Sequence, residues 1–271
     1  MEILSAIAIS LAICVGVQIC FWLIYLRTNN AAIVDVAWAL TLWLGPLSFW
    51  ILAPERSIYS DAFFVLLSLW SLRMTLYLFL RYYHSPEDGR YLQIRKEWSD
   101  PSFKSIVPGK TIHQKFLSFF IIQALISWML TAPFSGVFLS TNQPEWNLAH
   151  CFIFGVILLS ICAETLADFQ LYRFKKDPKN HGLLLNTGLW KYSRHPNYFF
   201  EICNWIGFAI WASFVCSGLW AWLSPLVIGF FILKVTGVPA TDAHNAKSKS
   251  EQWPSYLAKT NALFPFFKLK H

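Results

Sequence analysis

Residues 3–26, ILSAIAISLAICVGVQICFWLIYL, run without one charged side chain, and that run decides the solvent in which the chain folds. A helix of this length crosses the hydrocarbon core of a bilayer, about 30 Å thick, at about 1.5 Å per residue. It is too long for the apolar part of a secretory leader, and Met1-Glu2 before it carries no positive charge, so it reads as a retained anchor. Windowed hydropathy finds six more spans, at 31–53, 60–82, 116–139, 148–171, 197–215 and 218–237. The composition agrees. Of 271 residues, 56% are hydrophobic and 14% charged, against about 45–50% and about 25% in soluble domains. Disordered, collagen-like, coiled-coil and disulfide-scaffold classes are excluded. The expected fold is all-α, a polytopic membrane bundle of about seven transmembrane helices.

The net charge of +7 invites a nucleic-acid reading, which the positions of the charges oppose. Lys and Arg concentrate in segments 84–115 and 172–196 and in the tail after 237, whereas 54–59 and 140–147 offer only Arg56. Seven spans place the basic segments on one side, cytoplasmic by the positive-inside rule, with the N-terminus outside and the C-terminus inside. No compact basic domain with interleaved stacking aromatics is present, so no nucleic acid is expected. The excess can attract lipid headgroups or cofactor phosphates. Cys14, Cys20, Cys151, Cys162, Cys203 and Cys216 lie in apolar runs without a C-x-x-C pair and are expected as buried free thiols. The seven histidines are scattered, not clustered as a di-iron desaturase requires, and no metal site is expected. Trp22, Trp43, Trp50, Trp70, Trp128, Trp205, Trp211, Trp220 and Trp222 read mostly as interface or lipid-facing anchors, and Trp38, near Asp35, as a cavity wall.

Ionisable side chains inside a span cost ~2.5 kcal/mol or more on insertion scales, so each is a functional candidate. They are Asp35, Arg73, Glu164, Asp168 and Glu201. Arg73 suits either an internal ion pair with Asp35 or Glu164 or a direct role at a ligand. Glu164 and Asp168, one helical turn apart, share a face and repel each other unless cations, donors or ligand hydroxyls stand between them. Asn197, Glu201 and Asn204 form one stripe of the next span. Just before it, Pro196 suits a first helical turn. Ser193, Arg194 and His195 then sit at a helix N-terminus, where orphan N–H groups and the dipole favour an anion; Arg194 adds a fork and Lys191 a point charge. Polar donors outside and hydrogen-bonding groups deeper inside describe a pocket for an amphipathic nucleotide cofactor.

The run Gly188-Leu189-Trp190-Lys191-Tyr192-Ser193-Arg194-His195-Pro196-Asn197-Tyr198, followed by Glu201, resembles the C-terminal signature of the steroid 5-alpha-reductase-like membrane protein family, and more closely its mainly bacterial branch. Residues 34–38, 71–73 and 87–91 fit that branch, as do Glu164, Asp168 and Gln170, residues 236–239, Tyr256, Thr260 and Phe264-Pro265. The resemblance covers roughly residues 30–266. It implies an NADPH-dependent oxidoreductase acting on CH–CH groups, with lipid metabolism as its setting. Hydride goes to an activated C=C bond of a steroid-like or other lipophilic enone. The implied cofactor-binding residues are Glu164, Asp168, Arg173, Lys175, Asn186, Tyr192, Arg194, His195, Asn197, Tyr198, Glu201 and Tyr256. Asp35 matches the acid that the resemblance implies at the substrate; with Arg73, read from its charge inside a span, it is an expected catalytic residue, and its depth suits a protonated Asp35 that donates to the substrate oxygen. Trp70 stands where characterised steroid reductases carry a tyrosine, and Phe200 where the signature has glycine.

One membrane domain is expected over 1–271, with substrate-side helices and a long cytoplasmic loop in 1–140 and the cofactor-binding half in 148–271. The tail is expected to form a short helix near 240–251 and then an extended piece. The expected partners are a lipophilic small-molecule substrate and membrane lipids, with no obligate protein partner. The branch favours a bacterial inner membrane, with the endoplasmic reticulum as the other setting. An Arg-His-Pro-x-Tyr helix start also occurs in membrane methyltransferases that use S-adenosylmethionine, which makes that activity the alternative. A transporter or scaffold is the third reading, against which the spans show no inverted repeat.

Overall fold

The computed structural model describes residues 3–100, 102–215 and 218–265. Pro101, Cys216, Lys268 and Lys270, read above as a turn signal, a thiol and two basic positions, lie outside those residues. The chain divides into two compact units, Met1–Trp146 with Phe214–Trp220, and Asn147–Ser213 with Ala221–His271. No β-strand occurs among the described residues. Six helical stretches are long and apolar enough to cross a membrane, so the protein is an integral multi-pass membrane protein of helical-bundle type.

The first unit is built from α1 (Ile3–Thr28), α2 (Ile33–Ile51), α3 (Ile58–His84), α4 (Gly89–Ser99), α5 (Ile112–Thr131) and the short α6 (Ser135–Leu139). α1 buries a narrow stripe of residues four apart, Ala6, Ser10, Cys14 and Gln18. Small side chains let two backbones approach in lipid, where dispersion and hydrogen bonds must do what the hydrophobic effect does in water. Accordingly, Ser10 Oγ donates to the Gly45 carbonyl at 3.5 Å and Cys14 Sγ to the Thr41 carbonyl at 3.8 Å, which pairs α1 and α2 antiparallel. Thr41 Oγ1 donates to Ser127 Oγ at 2.9 Å and so ties α2 to α5, while Ser71 Oγ of α3 donates to the Ala39 carbonyl at 2.7 Å. α2 is therefore the central helix of this unit.

The segment between α3 and α5, read as a polar loop, contains α4. Asp88 caps it by accepting from the Arg90 N–H at 2.9 Å. Its apolar stripe is Tyr91, Ile94 and Trp98, and Tyr91 packs into the cluster of Tyr25, Val34, Phe116 and Phe120. That i, i+3, i+7 spacing is the helix signal in the sequence.

The second unit contains α7 (Leu148–Lys176), α8 (Pro196–Ala212), α9 (Leu223–Phe230), α10 (Val238–Ser248) and α11 (Trp253–Lys259). Asn147 caps α7, accepting from the Ala149 N–H at 3.0 Å. α8, the expected sixth span, is a helix of only 17 residues. α9 runs into a π-turn at Phe231–Val235, and Gly237 then lies so close to it that a Cβ would stand 2.4 Å from the Ile232 carbonyl oxygen. The tail forms two short helices where one was expected; Thr260 after α11 is extended, and residues 266–271 lie outside the described residues. Trp70, Trp205 and Trp211, read as anchors, are fully buried, whereas Trp220 is exposed. Of the described cysteines, Cys14 alone is buried; Cys20, Cys151 and Cys162 are exposed.

α7 and α8 pack tightly at Gly207, where a Cβ would meet Ile157 Cγ1 at 2.5 Å. Gly207→Val is expected to destabilise this pair by about 1–3 kcal/mol through overpacking. Ile157→Ala should restore much of it in the double variant. Thermal unfolding of the four proteins in detergent gives the coupling, and additive losses would mean that the contact is not the cause.

Candidate functional site

In the second unit, α7 and α8 carry the acids and amides that the sequence singled out. Glu164, 5% exposed, accepts from Asn204 Nδ2 at 2.8 Å, and Asp168 accepts from Asn197 Nδ2 at 3.2 Å. Glu201, also buried, accepts from Trp205 Nε1 at 2.9 Å. Both carboxylates of this α7 face therefore meet donors from α8. Neutral carboxamides of α8 stand against them and donate to both acids. Each carboxamide spends its nitrogen on the acid, and the oxygens, Asn197 Oδ1 and Asn204 Oδ1, are buried without a hydrogen-bond partner. These two atoms remain available as acceptors for an N–H or O–H donor.

The loop into α8 turns at Gly188, whose φ is +59°. A side chain there would be strained, and its Cβ would also stand 2.6 Å from Gln170 Oε1. Gln170 Oε1 accepts from the Leu189 N–H at 3.0 Å, and Trp190 Nε1 donates to the Ala167 carbonyl at 3.0 Å. The signature is thereby fastened to the last turns of α7. Arg173 and Lys175 project from that end of α7 and are exposed, and Tyr192 is half-buried.

The start of α8 corrects the expectation of an open anion site. The Arg194 and His195 N–H groups donate to the carbonyls of Asn261 and Ala262, at 2.9 and 3.1 Å. Arg194 Nη2 donates to Asp242 Oδ2 at 2.9 Å, and Nη1 to the Thr260 carbonyl at 2.7 Å. His195 Nε2 donates to the other oxygen, Asp242 Oδ1, at 2.7 Å, and its ring stacks on Tyr198 at 5.2 Å. The anion expected here is the protein's own Asp242 carboxylate, brought in by α10. Arg194 and His195 are clasp residues, each tied to the tail through its backbone N–H and its side chain. Tyr198 belongs to the same group, its hydroxyl 3.2 Å from Thr241 Oγ1.

Beside the clasp lies a cleft of about 590 Å³ lined by Asn186, Lys191, Glu251, Tyr256, Lys259 and Thr260, a size suited to small-molecule ligands. Tyr256 donates to the carbonyls of Trp190 at 2.5 Å and Ser193 at 3.3 Å. Burial pushes its phenol above the usual tyrosine value, so this donor stays protonated. Lys191 and Lys259 are exposed and supply the positive charge.

In the first unit, Asp35 is ion-paired. Arg90 Nη2 donates to Oδ2 at 2.9 Å and the Tyr91 hydroxyl to Oδ1 at 2.5 Å. Burial first, and then the Asp35 charge, hold the Tyr91 phenol well above its usual range, so it remains the donor. Both Asp35 oxygens accept hydrogen bonds from the chain here. The partner is Arg90, not Arg73, which lies half-buried in α3. Asp88 bridges Arg90 and Arg81, and Glu87 accepts from Arg95 at 3.0 Å and from the Ala31 N–H at 2.7 Å. The run 87–91 is thus the mounting of Asp35. Asp242, Lys259 and the Asp35 partners were missed as site residues, since each becomes relevant only through a contact distant in sequence.

No solved structure matches the chain. An uncharacterized protein of Schizosaccharomyces pombe is 26% identical over 277 aligned positions, covering 91% of this chain and 75% of that relative. The family model described as "Protein of unknown function (DUF1295)" matches residues 21–260, nearly the whole of both units, and the chain belongs to the DUF1295 family.

Proposed function

We propose that the protein is an NADPH-dependent membrane reductase acting on a C=C bond of a lipophilic, steroid-like or other enone substrate. The observation that carries the reading is the pair of buried carboxamide oxygens on Asn197 and Asn204, held in place by Asp168 and Glu164. The donor set fits the cofactor. Its phosphates call for cations, which Lys191 and Lys259 offer at the cleft, with Arg173 and Lys175 exposed at the end of α7. Its carboxamide calls for a buried acceptor, which the two asparagines offer. When bound, NADPH would supply the hydride. Gln170 and the Asp242 clasp orient the signature, and Glu201 with Trp205 closes the buried end of the stripe. Asp35, fixed by Arg90 and Tyr91, and Arg73 are assigned to the substrate side. The basic segments are assigned to the cytoplasmic face. A bacterial inner membrane is the setting favoured by the resemblance, with the endoplasmic reticulum as the other setting.

The test is a titration of the detergent-solubilised protein with NADPH and, separately, with S-adenosylmethionine, following the unfolding temperature. NADPH at about a hundred times its Kd is expected to stabilise by about 2.7 kcal/mol. Stabilisation by S-adenosylmethionine alone would replace the reductase with a methyltransferase.

A further inference from the structure

Gln18 is fully buried, and neither its Nε2 nor its Oε1 has a hydrogen-bond partner. The indole Nε1 of Trp38 is also buried and unpartnered. The helix register sets these groups at one level. Ser10 meets Gly45 and Cys14 meets Thr41, so one further turn along α1 brings Gln18 opposite Ala37 and Trp38. Asp35 follows one turn away on α2. At the neighbouring levels the polar groups are matched: Ser10, Cys14, Thr41, Ser48 and Ser127 all make hydrogen bonds. The mismatch is therefore local, not a general looseness of the helix pair.

An amide and an indole N–H in an apolar interior are costly unless something complements them. Gln18 offers two N–H donors and one acceptor, and Trp38 offers one donor. A hydroxyl has the complementary set. Its oxygen accepts from Trp38 Nε1 and Gln18 Nε2, and its proton goes to Gln18 Oε1. A ketone leaves Oε1 unanswered. A carboxylate or phosphate would bring charge to two helices that have no cation for it, since neither residues 3–26 nor residues 33–51 contain Lys, Arg or His. We propose that Gln18 and Trp38 form a niche for the hydroxyl group of a lipid alcohol within the first unit. This rests on the reductase reading only where it makes that alcohol the substrate; the binding stands without it.

The probes are tritiated 1-hexadecanol and tritiated cholesterol, each compared with its O-methyl ether, on the full chain in nanodiscs without nucleotide. At least one alcohol is expected to bind about tenfold more tightly than its ether, the scale of the one neutral hydrogen bond that the ether cannot donate. Gln18→Leu should bring the alcohol down to the level of the ether, and Trp38→Phe should weaken it independently. Gln18→Leu should also keep or raise the unfolding temperature, because leucine removes two unmatched groups at similar volume. Binding of neither alcohol, or no preference over the ethers, overturns the niche. So does unchanged alcohol binding in Gln18→Leu, which with a lowered unfolding temperature identifies a structural water at this level. NADPH titration of the same preparation separates the two proposals: intact NADPH stabilisation with no alcohol preference sinks the niche alone, and the converse sinks the reductase reading alone.

Discussion

Asp242→Ala is expected to unfold the protein on the order of 10 °C below the parent chain, from a loss of about 3–5 kcal/mol. The size follows from what the substitution leaves behind. Arg194 and His195 have side chains only 9% and 2% exposed, and Asp242 is the carboxylate that both of them meet. Removing it strands a guanidinium inside the protein with the Thr260 carbonyl as its remaining acceptor, and takes from the His195 Nε2–H the acceptor it has. Breaking a buried pair from one side costs far more than the pair contributes when intact. Asp242→Asn retains the shape and one acceptor oxygen and should fall between. The clasp also predicts where the loss is felt first. Residues 260–262 are held by the Arg194 and His195 N–H groups and the Arg194 fork. Limited proteolysis of Asp242→Ala should therefore cut the tail near 249–252 before any membrane helix is touched. A variant with the parent unfolding temperature and the parent cleavage pattern would show that the clasp holds nothing.

The contrast between Asp242 and α1 explains what can be read from the sequence. A membrane helix is declared by its own residues, since 3–26 must meet lipid whatever surrounds it. The same holds for the polar faces of α7 and α8. Glu164 and Asp168 lie one turn apart, as do Asn197 and Glu201, and a helix places such residues on one face. What the sequence does not supply is partners. Asp242 is 47 residues from His195, and nothing local to either marks the other. A helix start taken in isolation makes Arg194 and His195 ligand-directed, because orphan N–H groups do favour anions. Similarly, depth alone marks Asp35, whereas Arg90 and Tyr91 reach it from a helix hidden inside a polar segment. Gln18 escapes because a search for ionisable residues passes over a neutral amide, although in an apolar interior an unmatched amide is also expensive.

Replacing both cleft lysines, Lys191→Ala with Lys259→Ala, is expected to weaken NADPH binding about a hundredfold. Each hydrogen bond from a charged group to a phosphate contributes about 1.5–3 kcal/mol, and tenfold in affinity is about 1.4 kcal/mol. Both side chains are exposed, and neither belongs to the clasp or to the α7–α8 pair, so the unfolding temperature without nucleotide should stay within about 1 °C of the parent. That separates loss of a ligand contact from loss of structure, which Asp242→Ala confounds. Salt offers a second, independent reading. Affinity carried by exposed lysines must fall as ionic strength rises, because the Debye length shrinks from about 10 Å at 0.1 M to about 3 Å at 1 M. The double variant should have lost most of that dependence along with its affinity. Asn197→Ala should do the reverse, weakening NADPH while leaving the salt dependence as steep as in the parent, since its contribution is a neutral acceptor. Equal salt slopes in the parent and the double lysine variant would take the phosphates out of this cleft.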